Sequence, residues 1–241
     1  MKPLSSSPVR TLAIFALVAA ALAALYLDQR TGQPAPDVSA PQPSREAAAG
    51  GAGFDFYVLS LSWSPSYCEA EGEDANRQQC ASGRPYAFVV HGLWPQYESG
   101  YPETCPTDQP EVAESLLRSL YDLMPSAGLI RHQWKKHGSC TGLSQADYFA
   151  ALRAARGKVT IPDRYRRLDE YRTVEPGAVE RDFLAANGGL PADGAAVTCD
   201  RRYLREVRIC MTKELAFRPC PEVDRRACTL DRAVMPPVRG G

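Results

Sequence analysis

Three histidines, His91, His132 and His137, are the only ones in the 241-residue chain, and they fall in two short segments, 88–96 and 132–140. Imidazole is the side chain whose ordinary pKa lies nearest neutral pH, so it is the usual proton carrier in catalysis. His91 follows the apolar run Tyr86-Ala-Phe-Val-Val90, which predicts a short buried strand, and Gly92 after it allows a turn or a close approach. The second segment predicts a helix, preceded by Gly128-Leu-Ile130 and closed by Gly138 as a left-handed cap. On a helix His132 and Lys136, four apart, share one face, and Gln133 and His137 share the neighbouring stripe. Such a segment offers donors for an anion and groups able to move a proton. It holds no nucleophile of its own, so the nucleophile has to come from the substrate or from water.

Two other classes make different demands. A zinc protease of the His-Glu-x-x-His type needs histidines four apart with a Glu between them; here they are five apart, and Gln133 follows the first. No Cys-x-x-Cys pair is present, which argues against a zinc knuckle or a thioredoxin-like motif. The expectation is a site with no metal and no cofactor. A non-catalytic secreted binding module would need the cysteines but not His91, Lys136 and His137 together.

The segments His91-Gly-Leu-Trp-Pro95 and His132-Gln-Trp-Lys-Lys-His137-Gly-Ser-Cys140 resemble the two active-site signatures of the ribonuclease T2 family. Residues 54–68 resemble that family's first core strand and 204–210 its late strand, so the likeness spans roughly 54–230. It implies a metal-independent endoribonuclease acting on single-stranded RNA and not on DNA, with low base specificity. The ribose 2′-hydroxyl is the nucleophile, and a 2′,3′-cyclic phosphate opens to a 3′-phosphate. By the same likeness His91 and His137 are the acid–base pair, with His137 as base and His91 as acid. His132 binds the phosphate and Lys136 stabilises the pentacoordinate transition state. The family usually has Glu where this chain has Gln133; an amide cannot carry the charge but can still donate to a phosphoryl oxygen. Trp94 admits two readings, a flat platform for a base or a buried support for the His91 turn. Gln96 and Tyr101 are further candidates for base contacts. Trp134, Tyr57 and Trp63 read as core.

These residues need elements to hold them. Strand-like runs occur at 54–63, 86–90 and 204–209, and helical patterns at 111–123, 144–155 and 176–186, with Asp108 and Pro110 before the first, Ser144 as a cap for the second, and Gly188 after the third. Strands and helices do not alternate regularly, which predicts an α+β domain. The resemblance implies a central antiparallel sheet with packed helices, in one disulfide-bonded domain over 54–241.

All eight cysteines follow an apolar leader. Eight can pair in about 105 ways, so spacing alone does not fix connectivity; the resemblance implies Cys68–Cys80, Cys105–Cys140, Cys199–Cys228 and Cys210–Cys220. Disulfides point to an oxidising compartment. Residues 1–27 carry Lys2, Arg10 and an unbroken apolar run over 12–27, which predicts a signal peptide, with an uncleaved signal anchor as the alternative. Residues 28–53, rich in Pro, Ala, Gly and Ser, read as a flexible tether. The location expected is the periplasm or the exterior, or the inner membrane facing the periplasm if the leader is retained; the partners are RNA and that membrane tether, and the protein itself is a monomer. Charge is balanced at 28 against 28, and without Lys2 and Arg10 it is 26 against 28. A chain this neutral has to bind RNA through a local site, not through a broad basic surface. The clusters Arg164-Tyr-Arg-Arg167, Arg201-Arg202 and Arg225-Arg226 read as solvated surface or as extensions of that site.

Overall fold

A computed structural model of the chain describes residues 53–239; the expected leader and all but the last residue of the expected tether lie outside them. Four strands form one antiparallel sheet in the order β2-β1-β5-β4, where β1 is Phe56–Trp63, β2 Phe88–Gln96, β4 Ala195–Cys199 and β5 Leu204–Met211. A second, two-stranded sheet pairs β3 (Arg172–Val174) with β6 (Ala233–Met235). Among the described residues there are seven α-helices, α1 Ser64–Glu71, α2 Arg77–Cys80, α3 Glu114–Leu120, α4 Ala127–Lys136, α5 Gln145–Gly157, α6 Pro176–Ala186 and α7 Pro221–Asp224, and three short 3-10 turns. The fold is α+β, as the sequence predicts.

Strand alternation gives the sheet two different faces. On the inner face Tyr57, Leu59, Leu61 and Trp63 of β1 meet Leu93 of β2 and Val207 and Ile209 of β5, and Trp134, Tyr148, Phe149, Leu152 and Phe183 from the helices join them in one core. Each fully buried side chain of this kind contributes about 1.5–3 kcal/mol, so this layer is what holds the sheet rigid. The outer face carries Phe56, Val58, Ser60 and Ser62 on β1, Trp94 and Gln96 on β2, and Glu206, Arg208 and Cys210 on β5. A sheet face that swaps aliphatic side chains for charged and aromatic ones is a natural floor for a site.

Several boundaries differ from expectation. β2 runs on through Pro95 to Gln96, because it is an edge strand and tolerates a residue with no N–H. The helix expected over 111–123 is shorter: Val112 is buried in the core and Ala113 is the N-cap, so Asp108 and Pro110 lie in the preceding loop. Helix α5 starts as expected, with Ser144 Oγ accepting from Asp147 N at 3.2 Å, and α6 has Pro176 in its first turn.

Four disulfides join Cys68–Cys80, Cys105–Cys140, Cys199–Cys228 and Cys210–Cys220, the same pairs the resemblance implies. None of the described helices is long and apolar enough to cross a membrane.

Candidate active site

His91 owes its position to a β-bulge. Ser60 of β1 pairs with Gly92 and Leu61 pairs with Val90, so His91 is the extra residue on β2. A bulge kinks its strand and re-aims a side chain, and here the imidazole leaves the ladder for the outer face. Its Nδ1 meets the Glu206 carboxylate from β5, and the other carboxylate oxygen accepts from Arg208 Nε at 2.9 Å and Nη2 at 2.8 Å. Burial pushes the Glu206 carboxyl up, but the hydrogen bonds and charges of His91 and Arg208 outweigh it and hold it at about 2. An ionised carboxylate only accepts, so His91 carries its hydrogen on Nδ1 and leaves Nε2 for chemistry.

Helix α4 supplies the second group. Its N-cap is Ser126, whose Oγ accepts from Leu129 N at 3.2 Å; Gly128 therefore lies inside the first turn and does not precede the helix as expected. Gln133 and Trp134 point inward, and Trp134 Nε1 donates to Gln109 O at 2.6 Å. His132 and Lys136 share one face and both line the cleft. His137 is the C-cap with ordinary negative φ. Gly138 is thus not a left-handed cap. It is glycine because a Cβ there would lie 2.5 Å from Trp134 Cε3 and 2.9 Å from the Tyr148 ring.

His137 is buried, and its Nδ1 has no hydrogen-bond partner among the described residues. Burial first, then the charges of Lys136, His91 and His132, lower its pKa from 6.5 to about 3. His132 is also lowered, by burial and then by Lys136, His91 and Lys135. His91, His132, Lys136 and His137, crowded together, suit a site that waits for an anion.

Trp94 ties the two segments together. Its Nε1 donates to Gln133 Oε1 at 2.7 Å, and its ring centroid lies 5.3 Å from those of both His91 and His137. Indole N–H is only a donor, which fixes the Gln133 carbonyl toward it and leaves the Gln133 NH₂ without a partner among the described residues. The support role of Trp94 has clear contacts. Its half-buried ring also faces the cavity. Gly92 completes the joint: a Cβ there would lie 2.1 Å from Gln133 Oε1 and 2.4 Å from Trp94 Nε1.

A loop closes the far side. Glu103 Oε2 lies 3.2 Å from Lys136 Nζ, Thr104 N donates to Lys136 O at 2.8 Å, and the Cys105–Cys140 bridge pins the loop to the turn after α4. A first cavity, about 330 Å³, is lined by His91, His132, Gln133, Lys136 and His137, with Trp94, Gln96 and Tyr101 around them. A second cavity of about 380 Å³ adjoins it, and His91 and His132 line both while His137 lines only the first.

The two histidine segments thus come together, with the candidate base-contact residues at the rim. Glu206 and Arg208 were not singled out by sequence, and neither were Phe56, Val58 and Glu222, which line the first cavity with Arg208. A signal existed for Glu206, the one carboxylate of a late strand whose other charged residues are arginines. Of the arginine clusters, Arg226 lines the cavity and pairs with Glu222 at 2.6 Å. Arg164 pairs with Asp182, and Arg202 lies over the Tyr203 ring.

A family model described as the ribonuclease T2 family matches residues 54–220. A protein named ribonuclease from Aeromonas hydrophila is 39% identical over 183 residues, covering 69% of this chain and 76% of its own length. The fold is similar to an RNase-related protein from Calystegia sepium, at TM-score 0.60 and 20% identity, covering 76% of this chain and 97% of that one. It is likewise similar to a mutant of RNase MC1 solved with 5′-UMP, at TM-score 0.59 and 22% identity, covering 75% and 97%. With two histidine segments facing one cleft and this match over most of the chain, the protein belongs to the ribonuclease T2 family, endoribonucleases that cleave RNA through a cyclic phosphate.

Proposed function

We propose that the scissile phosphate of single-stranded RNA sits where the two cavities meet, against His91 and His132. The observation that carries this is their shared lining: His91 and His132 border both cavities, and His137 borders only the first. The nucleotide bearing the attacking 2′-hydroxyl then occupies the first cavity, beside His137, and the leaving nucleoside the second.

His137 is the base. Its imidazole is neutral in the free protein and can take the 2′-hydroxyl proton. The bound phosphate then offsets the charge that His137 acquires. His91, with Nδ1 committed to Glu206, protonates the leaving 5′-oxygen through Nε2. His132 and the free Gln133 NH₂ hold phosphoryl oxygens, and Lys136 faces the charge that develops on the phosphorane. To do so Lys136 exchanges the exposed Glu103 carboxylate for the phosphate, an easy exchange because exposed ion pairs are worth only about 0–1 kcal/mol. The cyclic phosphate is later opened by water to a 3′-phosphate, with the two histidines exchanging roles. Trp94, Gln96 and Tyr101 bound the first cavity and contact the base there, with low base specificity. DNA lacks the nucleophile and is not cut.

The protein works as a monomer in the periplasm or outside the cell, which its four disulfides favour. Residues 1–27 are its signal peptide or anchor and 28–53 its tether. The test is His91→Ala and His137→Ala on a ribodinucleotide. Each should lower turnover by about 10²–10⁴-fold with the fold intact, and near-normal turnover in either variant would overturn the assignment.

A further inference from the structure

We propose that Glu206 is a positioning residue for the general acid, holding the His91 ring so that Nε2 meets the leaving 5′-oxygen. This rests on the acid role given to His91 above. Glu206 is 7% exposed, on a strand 115 residues away in sequence, yet its carboxylate reaches the one ring nitrogen that chemistry does not use. A buried carboxylate with no structural task is costly, and here every partner leads toward the site. One oxygen takes His91 Nδ1, and the other takes both Nε and Nη2 of Arg208. Arg208 in turn lies with its guanidinium 5.2 Å from the Trp94 ring centroid and lines the first cavity.

The register explains why the ring needs a holder. As the unpaired residue of a bulge, His91 lacks the ladder bonds that fix its neighbours. Glu206 lies opposite Ser62 and Arg208 opposite Ser60 on the same face of β5. The small serines between leave room for the carboxylate and imidazole to meet across β1. His132 is the polar group of α4 that borders both cavities with His91, and it cannot replace Glu206, since burial and the positive charges around it favour its neutral form and it has no negative charge to offer the His91 ring.

The test compares two substrates, a ribodinucleotide and a uridine 3′-phosphodiester of 4-nitrophenol, whose leaving group departs without a proton. On the dinucleotide, Glu206→Gln should lower kcat by about 10–100-fold with KM within about threefold. On the nitrophenyl ester the loss should shrink to within about threefold, as it should for His91→Ala. In a His91→Ala background, Glu206→Gln should add no further loss on the dinucleotide. Equal losses on both substrates for Glu206→Gln, or none on the dinucleotide, would overturn the proposal. If His91→Ala itself is equally impaired on both, the acid assignment fails instead. Should Glu206→Gln not fold, nitrogen-15 spectra of the unsubstituted protein decide: His91 must show a protonated Nδ1 with a slowly exchanging, far-downfield proton, and an unprotonated Nδ1 would refute the contact.

Discussion

His137 and Lys136 are neighbours in sequence, and that adjacency has a kinetic consequence. Burial and the ammonium beside it hold the imidazole near 3, so it stays neutral, and able to accept a proton, through the mildly acidic range. The acid limb of kcat/KM, which reports the free enzyme, should therefore fall well below pH 6.5. Lys136→Met removes a positive charge, makes protonation easier and should move that limb upward while lowering kcat; a limb near 6.5 in the parent would contradict the account. Gln133 is the second case. Its carbonyl takes the Trp94 N–H and its NH₂ has no partner among the described residues. Gln133→Glu keeps the acceptor and should hold activity within about tenfold, a barrier change of about 1.4 kcal/mol. A carboxylate there favours imidazolium, so the alkaline limb should move upward. Gln133→Ala leaves the Trp94 N–H unpaired and deletes the donor, and should cost about 10–100-fold in kcat. Identical pH–rate profiles for the parent and Gln133→Ala would show that the side chain plays no part.

At the scale of elements, two glycines and one bridge set the spacing of the site. Gly92→Ala would place a methyl 2.1 Å from Gln133 Oε1 and 2.4 Å from Trp94 Nε1, displacing both side chains from the joint between β2 and α4. Overpacking of this kind costs about 1–3 kcal/mol, and kcat should fall by at least about tenfold because Trp94 and the His91 and His137 rings packed against it move with it. A variant with parental kcat and denaturation midpoint would contradict that packing. The histidine segments were legible in sequence because the first lies within β2 and the second runs along α4 onto its C-cap, where local spacing still maps onto a face. Glu206 and Arg208 were not, because they join His91 only through strand register, which no local pattern encodes. Gly138 was misread for a related reason: a glycine after a helix suggests a cap, while the steric demand here comes from Trp134 and Tyr148. The β3–β6 pair, three residues per strand, is too short to carry a period-2 signal.

For the whole molecule, the groups that prepare the site also set its response to acid. Glu206 titrates near 2 in the fold against 4.5 ordinarily, so its stabilising share is complete above 4.5 and lost as pH falls through 2. His137 titrates near 3 against 6.5, so the unfolded chain binds a proton that the fold refuses, and stability declines from 6.5 toward 3. Both act in the same direction: the midpoint of chemical denaturation should fall steadily on acidification. Glu206→Gln should flatten the curve between 4.5 and 2, and parallel curves would contradict this linkage. The near-neutral chain also implies that RNA is held by the cleft and not by the surface at large. The central claim, that this cleft makes the ribose 2′-hydroxyl attack its own phosphate, meets its most direct test in a DNA oligonucleotide carrying a single ribonucleotide, digested with EDTA present and read by mass spectrometry. The account predicts one cut, on the 3′ side of that ribonucleotide, leaving a 2′,3′-cyclic phosphate that ages to a 3′-phosphate. Cuts at deoxynucleotides, a 5′-phosphate at the new end or dependence on added metal would contradict it.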